Sequence, residues 1–275
     1  NDGLPSQFSA AQIDMYKKSV AGQLSGIDAL LYPNVDWYDH ILKGSAPAQR
    51  YNVSVRGGTK RMRYYASGEF YDQKGLVKNL SNDMYGNSSS PAFRRYAFRA
   101  NMDLFLTTDL TFSVNFGTRF EERSGGNFTE NELFYEMNHT PGWLFPVSYE
   151  IQNGETTKTL YGGNSQYQNN IAARLANAGY YRATNTVNET NFIADYKMDW
   201  LTEGLSAKAM VSFDYDSYYK RNFTNTFATY ELLKDENGNA IDPTVMEGFN
   251  RFNADGELAY SKGNSTTYKL YMEAQ

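Results

Sequence analysis

The amino-acid sequence predicts an all-β fold, namely part of a large antiparallel transmembrane β-barrel with about seven strands in this chain. From Arg50 onward, apolar and polar residues alternate with a period of two, which indicates strands with two different faces. Strand, short turn, strand and long loop then follow one another three times, a layout typical of outer-membrane barrels. Tyr and Phe number 23 and 17 among 275 residues, so much of the apolar content is aromatic in an otherwise polar chain.

Composition argues against several other classes of protein. The sequence contains no apolar run of about 18 residues, so a transmembrane helix is not expected. Cysteine is absent, which leaves no disulfide or thiol chemistry. The net charge of −5 is unsuited to binding nucleic acid. Because the chain starts at Asn1 without a signal peptide or an initiator methionine, we expect a mature or truncated chain.

The chain divides into two predicted units. Residues 1–48 form an irregular, partly helical segment that approaches the barrel wall. Within it, Ser9 is a suitable cap for a short helix over residues 10–21, whose apolar residues lie roughly on one side. Pro33 and Gly44 interrupt the segment that follows. Residues 49–275 form the partial barrel.

The barrel unit is predicted to hold three strand pairs and the start of a seventh strand near Tyr268. In the first strand, Tyr51, Val53 and Val55 alternate with polar residues. Short turns are predicted at residues 57–60, 107–109 and 201–204. Long loops are predicted at residues 72–92, 122–188 and 217–266. Because outer-membrane barrels have short periplasmic turns and long extracellular loops, these two sets identify the two ends of the wall.

A soluble antiparallel sandwich is the alternative fold, since its strands also alternate. Sandwich strands are usually about 5–6 residues long, whereas the predicted strands run about 10 residues, enough to cross a bilayer at a tilt. Aromatic residues near the strand ends fit the interfacial girdles of a barrel; they are Phe70, Phe120, Trp200 and Tyr215. A wall of about seven strands cannot close, so we expect further strands in a longer protein.

Three segments carry a family resemblance. YNVSVRGGTKRMRYYASGEFYDQKGLVKN, at residues 51–79, resembles an early barrel hairpin of SusC/RagA-like TonB-dependent outer-membrane transporters. PNVDWYDHIL, at residues 33–42, is similar to the Asn-x-Asp-Trp segment that precedes that hairpin, and RRYAFRANMDLFLTTDLTFSVNFG, at residues 94–117, is similar to the next hairpin. The three occur in the order of the family, so their combination is specific.

The resemblance implies more than the pattern does. The family has an N-terminal plug inside a 22-stranded barrel, and this chain corresponds to the part after the plug. Family members import large nutrients, either glycans or oligopeptides, with energy from the TonB complex, and a SusD-like surface lipoprotein closes the barrel as a lid. The implied location is the outer membrane of a Gram-negative, Bacteroidota-like bacterium. No plug, TonB-contacting segment or final strand with a C-terminal aromatic residue is recognised here.

Three functions are compatible with such a wall. The first is TonB-dependent import under a lid, the second is a passive porin, and the third is a soluble carbohydrate-binding β-module. An enzyme is not expected, because no catalytic arrangement of residues is recognisable and no cofactor is implied. The sequence does not name the cargo.

The predicted loop 122–188 is the leading candidate for contact with substrate or lid. Aromatic rings stack on sugars and peptides, and the many Asn and Gln amides there can donate and accept hydrogen bonds. The candidates in this loop are Trp143, Phe145, Tyr149, Tyr161 and Tyr167, with Phe134 and Tyr135 nearby. The alternative is that these rings pack the loop on itself, on the rim or on the lid. Substrate contact predicts weaker ligand binding by a Trp143→Ala variant.

Charged residues on the inner side of the strands are predicted to face the lumen. They are Arg61, Arg63, Arg99, Asp103, Arg119, Asp195 and Lys197. No metal site is assigned. Glu132, Glu136 and His139 have weak metal-ligand spacing, and residues 235–239 resemble a calcium loop but lack its glycine and final glutamate. Asn-Gly in that segment equally predicts a hairpin turn.

Overall fold

The computed structural model describes residues 8–81, 88–153 and 156–275. Its main body is one seven-stranded antiparallel sheet with the order β1-β2-β3-β4-β7-β8-β11. In chain order the strands are β1 (Ala48–Gly58), β2 (Met62–Lys74), β3 (Ala92–Phe105), β4 (Leu110–Gly126), β5 (Ser148–Asn153), β6 (Thr156–Tyr161), β7 (Gly179–Lys197), β8 (Ser206–Thr224), β9 (Thr229–Leu232), β10 (Phe249–Phe252) and β11 (Ala259–Ala274). The predicted all-β fold is confirmed, and the wall has the predicted seven strands.

Helices are confined to the segments outside the sheet. They are α1 (Ala10–Val20), α2 (Gly26–Leu31), α3 (Trp37–Ile41), α4 (Glu130–His139) and α5 (Ile171–Asn177). Ser9 caps α1 as predicted: its hydroxyl accepts the backbone N–H of Gln12, and the Gln12 side chain accepts the N–H of Ser9. Across the described ranges, none of the helices combines the length and the apolar character that a membrane span requires.

Two of the short turns differ from the prediction. The first turn lies at residues 59–61 rather than 57–60, because Gly57 and Gly58 remain paired with β2 and the Thr59 N–H donates to the Met62 carbonyl at 2.7 Å. At the third turn, β7 ends at Lys197, so Trp200 lies in the turn and not in the strand. That turn closes by a Met198 N–H to Leu205 carbonyl bond of 2.8 Å.

The three long connections are shorter than predicted. They span residues 75–91, 127–178 and 225–258. The β4–β7 ladder continues beyond the apolar rows. Residues 122–126, predicted as loop, pair in register with residues 180–184, and residues 185–188, also predicted as loop, pair with residues 118–121. Likewise, β8 and β11 stay paired from Thr224 and Ala259 down to Ala209 and Ala274. Both faces carry polar residues near these strand ends, so the sequence lacks the alternation of apolar and polar residues that would predict a strand there.

The long connections fold together with the N-terminal helices into a second body, which we call the loop layer. It comprises residues 8–47 with the described residues of connections 127–178 and 225–258. One apolar cluster joins α3, α4 and α5 with the 75–91 connection; its buried members are Trp37, Ile41, Val77, Leu133, Met137, Phe145, Ile171, Ala172 and Leu175. A second cluster joins the β5–β6 and β9–β10 hairpins; its buried members are Tyr149, Ile151, Leu160, Ala228, Tyr230, Leu232 and Phe249.

One buried polar side chain holds the centre of the loop layer. Asn170 is fully buried; its amide donates to the carbonyls of Val147 and Gly162, both at 2.9 Å, while its oxygen accepts the Ala173 N–H at the start of α5. Every polar atom of the amide therefore has a partner, as burial demands. The loop layer thus has cores of its own, and it sits at the end of the sheet opposite the short turns.

Candidate functional site

The sheet has one apolar and one polar face. Residues directly opposite each other in an antiparallel ladder point to the same side. Register places Tyr51, Phe70, Tyr96 and Phe120 side by side on four strands, and their rings form a ladder with centroids 5.2–6.4 Å apart. Below this aromatic ladder the same face carries only small or apolar residues on β1 to β4, except Thr118. Its side chains are widely exposed: Val53 is 74% exposed and Met272 is 67% exposed.

The height of this apolar band matches a membrane. Along β4 it runs from Leu110 to Phe120, which is about 33 Å of strand at about 3.3 Å per residue. A strand tilt of about 40° turns this length into about 25 Å along the membrane normal, the height of the apolar band in outer-membrane barrels. An exposed apolar surface of this extent would be untenable in water.

The opposite face is polar and carries most of the predicted lumen residues. Six of the seven lie on it in the strands, namely Arg63, Arg99, Asp103, Arg119, Asp195 and Lys197. Arg61 instead lies in the first short turn, where its carbonyl accepts the Phe105 N–H at 2.9 Å. Asp103 accepts a 2.7 Å hydrogen bond from the hydroxyl of Ser113, which faces it on β4.

An arginine-lined groove of about 570 Å³ crosses the polar face on β1 to β4 and reaches Val187 and Glu189 on β7. Its floor consists of small residues, among them Ser67, Ala97 and Gly117, and its rim carries Arg50, Arg95, Arg99 and Arg119. Glu69 bridges two of these arginines: Arg50 donates to its Oε2 at 2.6 Å and Arg95 to its Oε1 at 2.5 Å. The groove is thus preorganised and cationic, a surface suited to carboxylates or to other oxygen-rich groups.

Two of the five aromatic candidates are core residues. Phe145 is 3% exposed and Tyr149 is 4% exposed, and they belong to the first and second clusters of the loop layer, respectively. Burial also raises the pKa of the Tyr149 phenol well above its usual range. Tyr161 is half-buried and packs against the first cluster. These three rings hold the loop layer together and do not present open faces to a ligand.

Trp143 and Tyr167 are the accessible members of the set. Trp143 lines an open apolar groove of about 500 Å³ between α1 and residues 33–35. The Phe8 ring meets the Trp143 ring edge-on at 5.1 Å, and the Tyr16 hydroxyl donates to the Trp143 carbonyl at 3.4 Å. Tyr167 is 42% exposed at the surface of the 127–178 connection. A role of these two residues in binding stays a prediction.

Sequence reasoning missed the aromatic partners of Trp143. Phe8, Tyr16 and Tyr32 form a chain of rings with centroids 5.3 Å apart, and Phe8 also meets Trp143. The amphipathic side of α1, with Ile13, Tyr16 and Val20, was visible in the sequence and lines this groove. Its packing against a tryptophan 127 residues further along the chain was not.

An ion pair joins α4 to α5 and was also missed. Arg174 donates to Glu136 at 2.6 Å, and its second terminal nitrogen lies 3.6 Å from Glu132. Burial raises the pKa of the Glu136 carboxyl, although the Arg174 guanidinium opposes this shift. Glu132 also completes the capping box of α4 by accepting the Thr129 N–H at 2.9 Å.

The possible ion-binding segments have other structural roles. The Asp235 carboxylate accepts the N–H groups of Asn237 and Asn239 at 2.9 and 2.8 Å, and Gly238 has a φ of 83°, so the segment forms a tight turn. These hydrogen bonds, chiefly that from the Asn239 N–H, lower the pKa of Asp235. His139 stacks on Tyr135 at 3.9 Å. Within residues 8–81, 88–153 and 156–275, no three acidic or histidine side chains converge as metal ligands would.

Comparison with known proteins shows what the chain is similar to. No protein-family model matches the chain. The curated TonB-dependent receptor P26 of Formosa agariphila is 27% identical over 257 residues, which cover 91% of this chain and 23% of that protein. The solved structure of the RagAB peptide transporter covers 77% of this chain with a TM-score of 0.50. The predicted resemblance to TonB-dependent transporters is confirmed: the chain is similar in sequence to a TonB-dependent receptor and in fold to the RagAB peptide transporter.

The two matches carry different weight. The RagAB peptide transporter is 16% identical, so this likeness speaks for the fold, and the match covers 22% of its chain. The chain therefore spans less than a quarter of the length of either relative. In the wall of a TonB-dependent transporter, the apolar face is the lipid side and the polar face is the lumen side.

Proposed function

We propose that the intact protein imports large nutrients, either glycans or oligopeptides, across the outer membrane with energy from the TonB complex. The observation that carries the proposal is the seven-stranded wall, with its apolar band about 25 Å high on one face and a polar face behind it. Similarity to a TonB-dependent receptor over 91% of the chain supports the energy source.

The positions of the short turns and of the loop layer at opposite ends of the wall support a direction of import. The short turns lie at one end of the sheet, and the folded loop layer lies at the other. Outer-membrane barrels keep their short turns in the periplasm, so the loop layer faces the cell exterior in this proposal. A SusD-like surface lipoprotein is the proposed partner, and the accessible groove beside Trp143 offers it or the cargo an aromatic surface.

The arginine-lined groove favours binding of a cargo, or of a plug surface, that is rich in oxygen acceptors. Arg99 and Arg119 project from neighbouring strands on the lumen side, where arginine can bind carboxylates through two parallel hydrogen bonds. Peptides carry such groups at their C-terminus and on acidic side chains, and acidic glycans carry them on uronic acids. The proposal therefore retains both cargo classes.

Uptake by living cells tests the proposal. The gene for the intact protein is deleted from its bacterium and restored on a plasmid, and uptake of fluorescent oligosaccharide and oligopeptide pools is measured with and without depletion of TonB. We expect one pool to enter only when both the intact protein and TonB are present. Uptake that needs the protein but continues after TonB depletion would contradict active import and identify a passive porin.

The lid is tested separately by affinity purification of the intact protein from detergent-solubilised outer membranes. We expect a surface lipoprotein to copurify in equal amount. Recovery of the protein from the soluble fraction would contradict the membrane assignment itself and would favour a soluble β-module.

A further inference from the structure

A cation and a carboxylate on the polar face stand on either side of a glycine without forming an ion pair. Arg99 on β3 and Glu189 on β7 both lie directly opposite Gly117 on β4. Gly117 leaves open space between them, and a Cβ added there would lie 3.9 Å from the Glu189 Oε2. Within the described residues, neither Arg99 nor Glu189 takes part in an ion pair or a side-chain hydrogen bond. Both charges are therefore available to a ligand.

The other charges that line the arginine-lined groove have partners. Arg50 and Arg95 both bind Glu69, at 2.6 and 2.5 Å, respectively. Arg119 lies 3.7 Å from Glu121, the next residue on the same face of β4. Among the charged residues that line the groove, the two beside the glycine are therefore the ones left without a counter-charge in contact.

Repulsion from β8 adds to the demand of Glu189 for a cation. Asp214 lies directly opposite Glu189, and its own opposite neighbour on β11 is Lys269. Like charges directly opposite each other destabilise a ladder. A cation placed over the glycine would relieve this repulsion, and an anion placed beside it would suit Arg99.

A row of three asparagines lies two residues further along the same strands. Asn101, Asn115 and Asn191 are directly opposite one another on β3, β4 and β7. They line a hollow of about 200 Å³ that also touches Arg99 and Glu189, so it adjoins the arginine-lined groove. Asn191 accepts the hydroxyl of Ser212 at 2.5 Å, which leaves its amide N–H groups to donate. Amides both donate and accept hydrogen bonds, as peptide groups do.

The spacing of the two charges matches a short stretch of peptide. The Cα atoms of Arg99 and Glu189 are two strand spacings apart, which is about 10 Å. An extended peptide covers about 10 Å in three residues. A neutral glycan could bind the amides but would leave both charges unpaired, and an acidic glycan would satisfy the cation alone.

We propose that Arg99, Glu189 and the asparagine row form a dipolar site for oligopeptide cargo. Arg99 binds a carboxylate of the peptide, Glu189 binds an ammonium group about three residues away, and the asparagines bind the main chain between them. The inference rests on the proposed function, because it places the polar face in the lumen, and it deepens that function by choosing peptide over glycan as the cargo.

Calorimetric titration of the intact protein in a nonionic detergent tests this proposal. The ligands are trialanine, trialanine with an amidated C-terminus, N-acetylated trialanine and maltotriose. The test variants are Arg99→Gln, Glu189→Gln and the double variant of both. The control is Lys208→Gln with Glu273→Gln, which removes one cation and one carboxylate from the same face outside the groove and the hollow.

We expect the wild type and the control variant to bind trialanine about tenfold more tightly than either blocked peptide, because each block removes one charge-assisted hydrogen bond. Arg99→Gln should bind trialanine and its C-terminal amide equally. Glu189→Gln should bind trialanine and its N-acetylated form equally. The double variant should lose both preferences.

Three results would overturn the dipolar site. They are failure of the wild type to bind trialanine, binding of maltotriose as tight as that of trialanine, and unchanged discrimination in the Arg99→Gln and Glu189→Gln variants. Any of these results in a protein whose uptake depends on TonB contradicts the site and leaves import standing. Charge-selective trialanine binding by a protein whose uptake continues without TonB supports the site and contradicts active import.

Discussion

At the scale of single residues, Gly179 is the position where backbone geometry most restricts the sequence. It begins β7 with a φ of 94°, and a Cβ there would overlap the carbonyl oxygen of Phe223 on β8. We predict that Gly179→Ala destabilises the wall by about 3 kcal/mol through strain and displacement of the ladder. Urea unfolding of the intact protein in detergent measures this loss.

Gly204 provides the matched control for Gly179. It also has a positive φ, of 79°, but a Cβ added there would meet nothing within 4 Å. Gly204→Ala should therefore cost only about 1 kcal/mol, the conformational term alone. Equal losses for the two variants would contradict the role assigned to the Phe223 contact.

Glu136 makes the loop layer sensitive to pH. Its folded pKa is raised above the ordinary value of 4.5, chiefly by burial. The stability contributed by the protonated carboxyl is therefore fully present below about pH 4.5 and is lost as pH rises through the folded pKa. We predict that Glu136→Gln removes this decline. Hydrogen exchange of α4 amides between pH 4 and 7, corrected for intrinsic rates, checks it; parallel profiles for wild type and variant would contradict it.

At the scale of elements, the alternation of residues predicted which strands exist better than it predicted where they end. The signal is strong where one face meets lipid and the other meets water, as around Phe98 and Phe116. Near Glu122, Arg123 and Arg182 both faces are polar, so apolar and polar residues do not alternate there. These ladder residues were therefore assigned to a loop. Similarly, Trp200 extends the alternating pattern although the Met198–Leu205 hydrogen bond has already turned the chain.

The candidate site was predicted in part for a related reason. The placement of Arg99 and Arg119 on the polar face follows from alternation alone, because a strand position determines the face. Whether an aromatic residue in a long connection is buried depends on its tertiary contacts. Phe145 is a core residue, whereas Trp143, two positions earlier, lines an open groove. Amino-acid composition does not distinguish a buried aromatic ring from an accessible one.

The same pair gives a prediction for the 127–178 connection. Phe145→Ala should destabilise the loop layer by about 3–5 kcal/mol, because it empties a buried site in the first cluster. Trp143→Ala should leave the layer folded and weaken ligand binding about tenfold with the lid still bound. Limited proteolysis reports the first effect and ligand titration the second. An unchanged titration for Trp143→Ala would remove this residue from the binding surface.

At the scale of the whole molecule, the proposed orientation of the wall depends on which of its two faces contacts lipid. Phe116 lies in the middle of the apolar band on β4, and Asn115 lies beside it on the polar face. An arginine near the membrane midplane costs about 2–4 kcal/mol on the lipid side of a barrel and far less on the lumen side. The two neighbouring positions therefore distinguish the faces directly.

We predict that Phe116→Arg destabilises the intact protein in lipid vesicles by about 2–4 kcal/mol more than Phe116→Ala, which removes the same ring without adding a charge. Asn115→Arg should change stability little, because water and the polar residues Asn101 and Asn191 surround it on its row. Urea titration of vesicle-inserted protein compares the three variants. A larger loss for Asn115→Arg than for Phe116→Arg would reverse the assignment of the two faces.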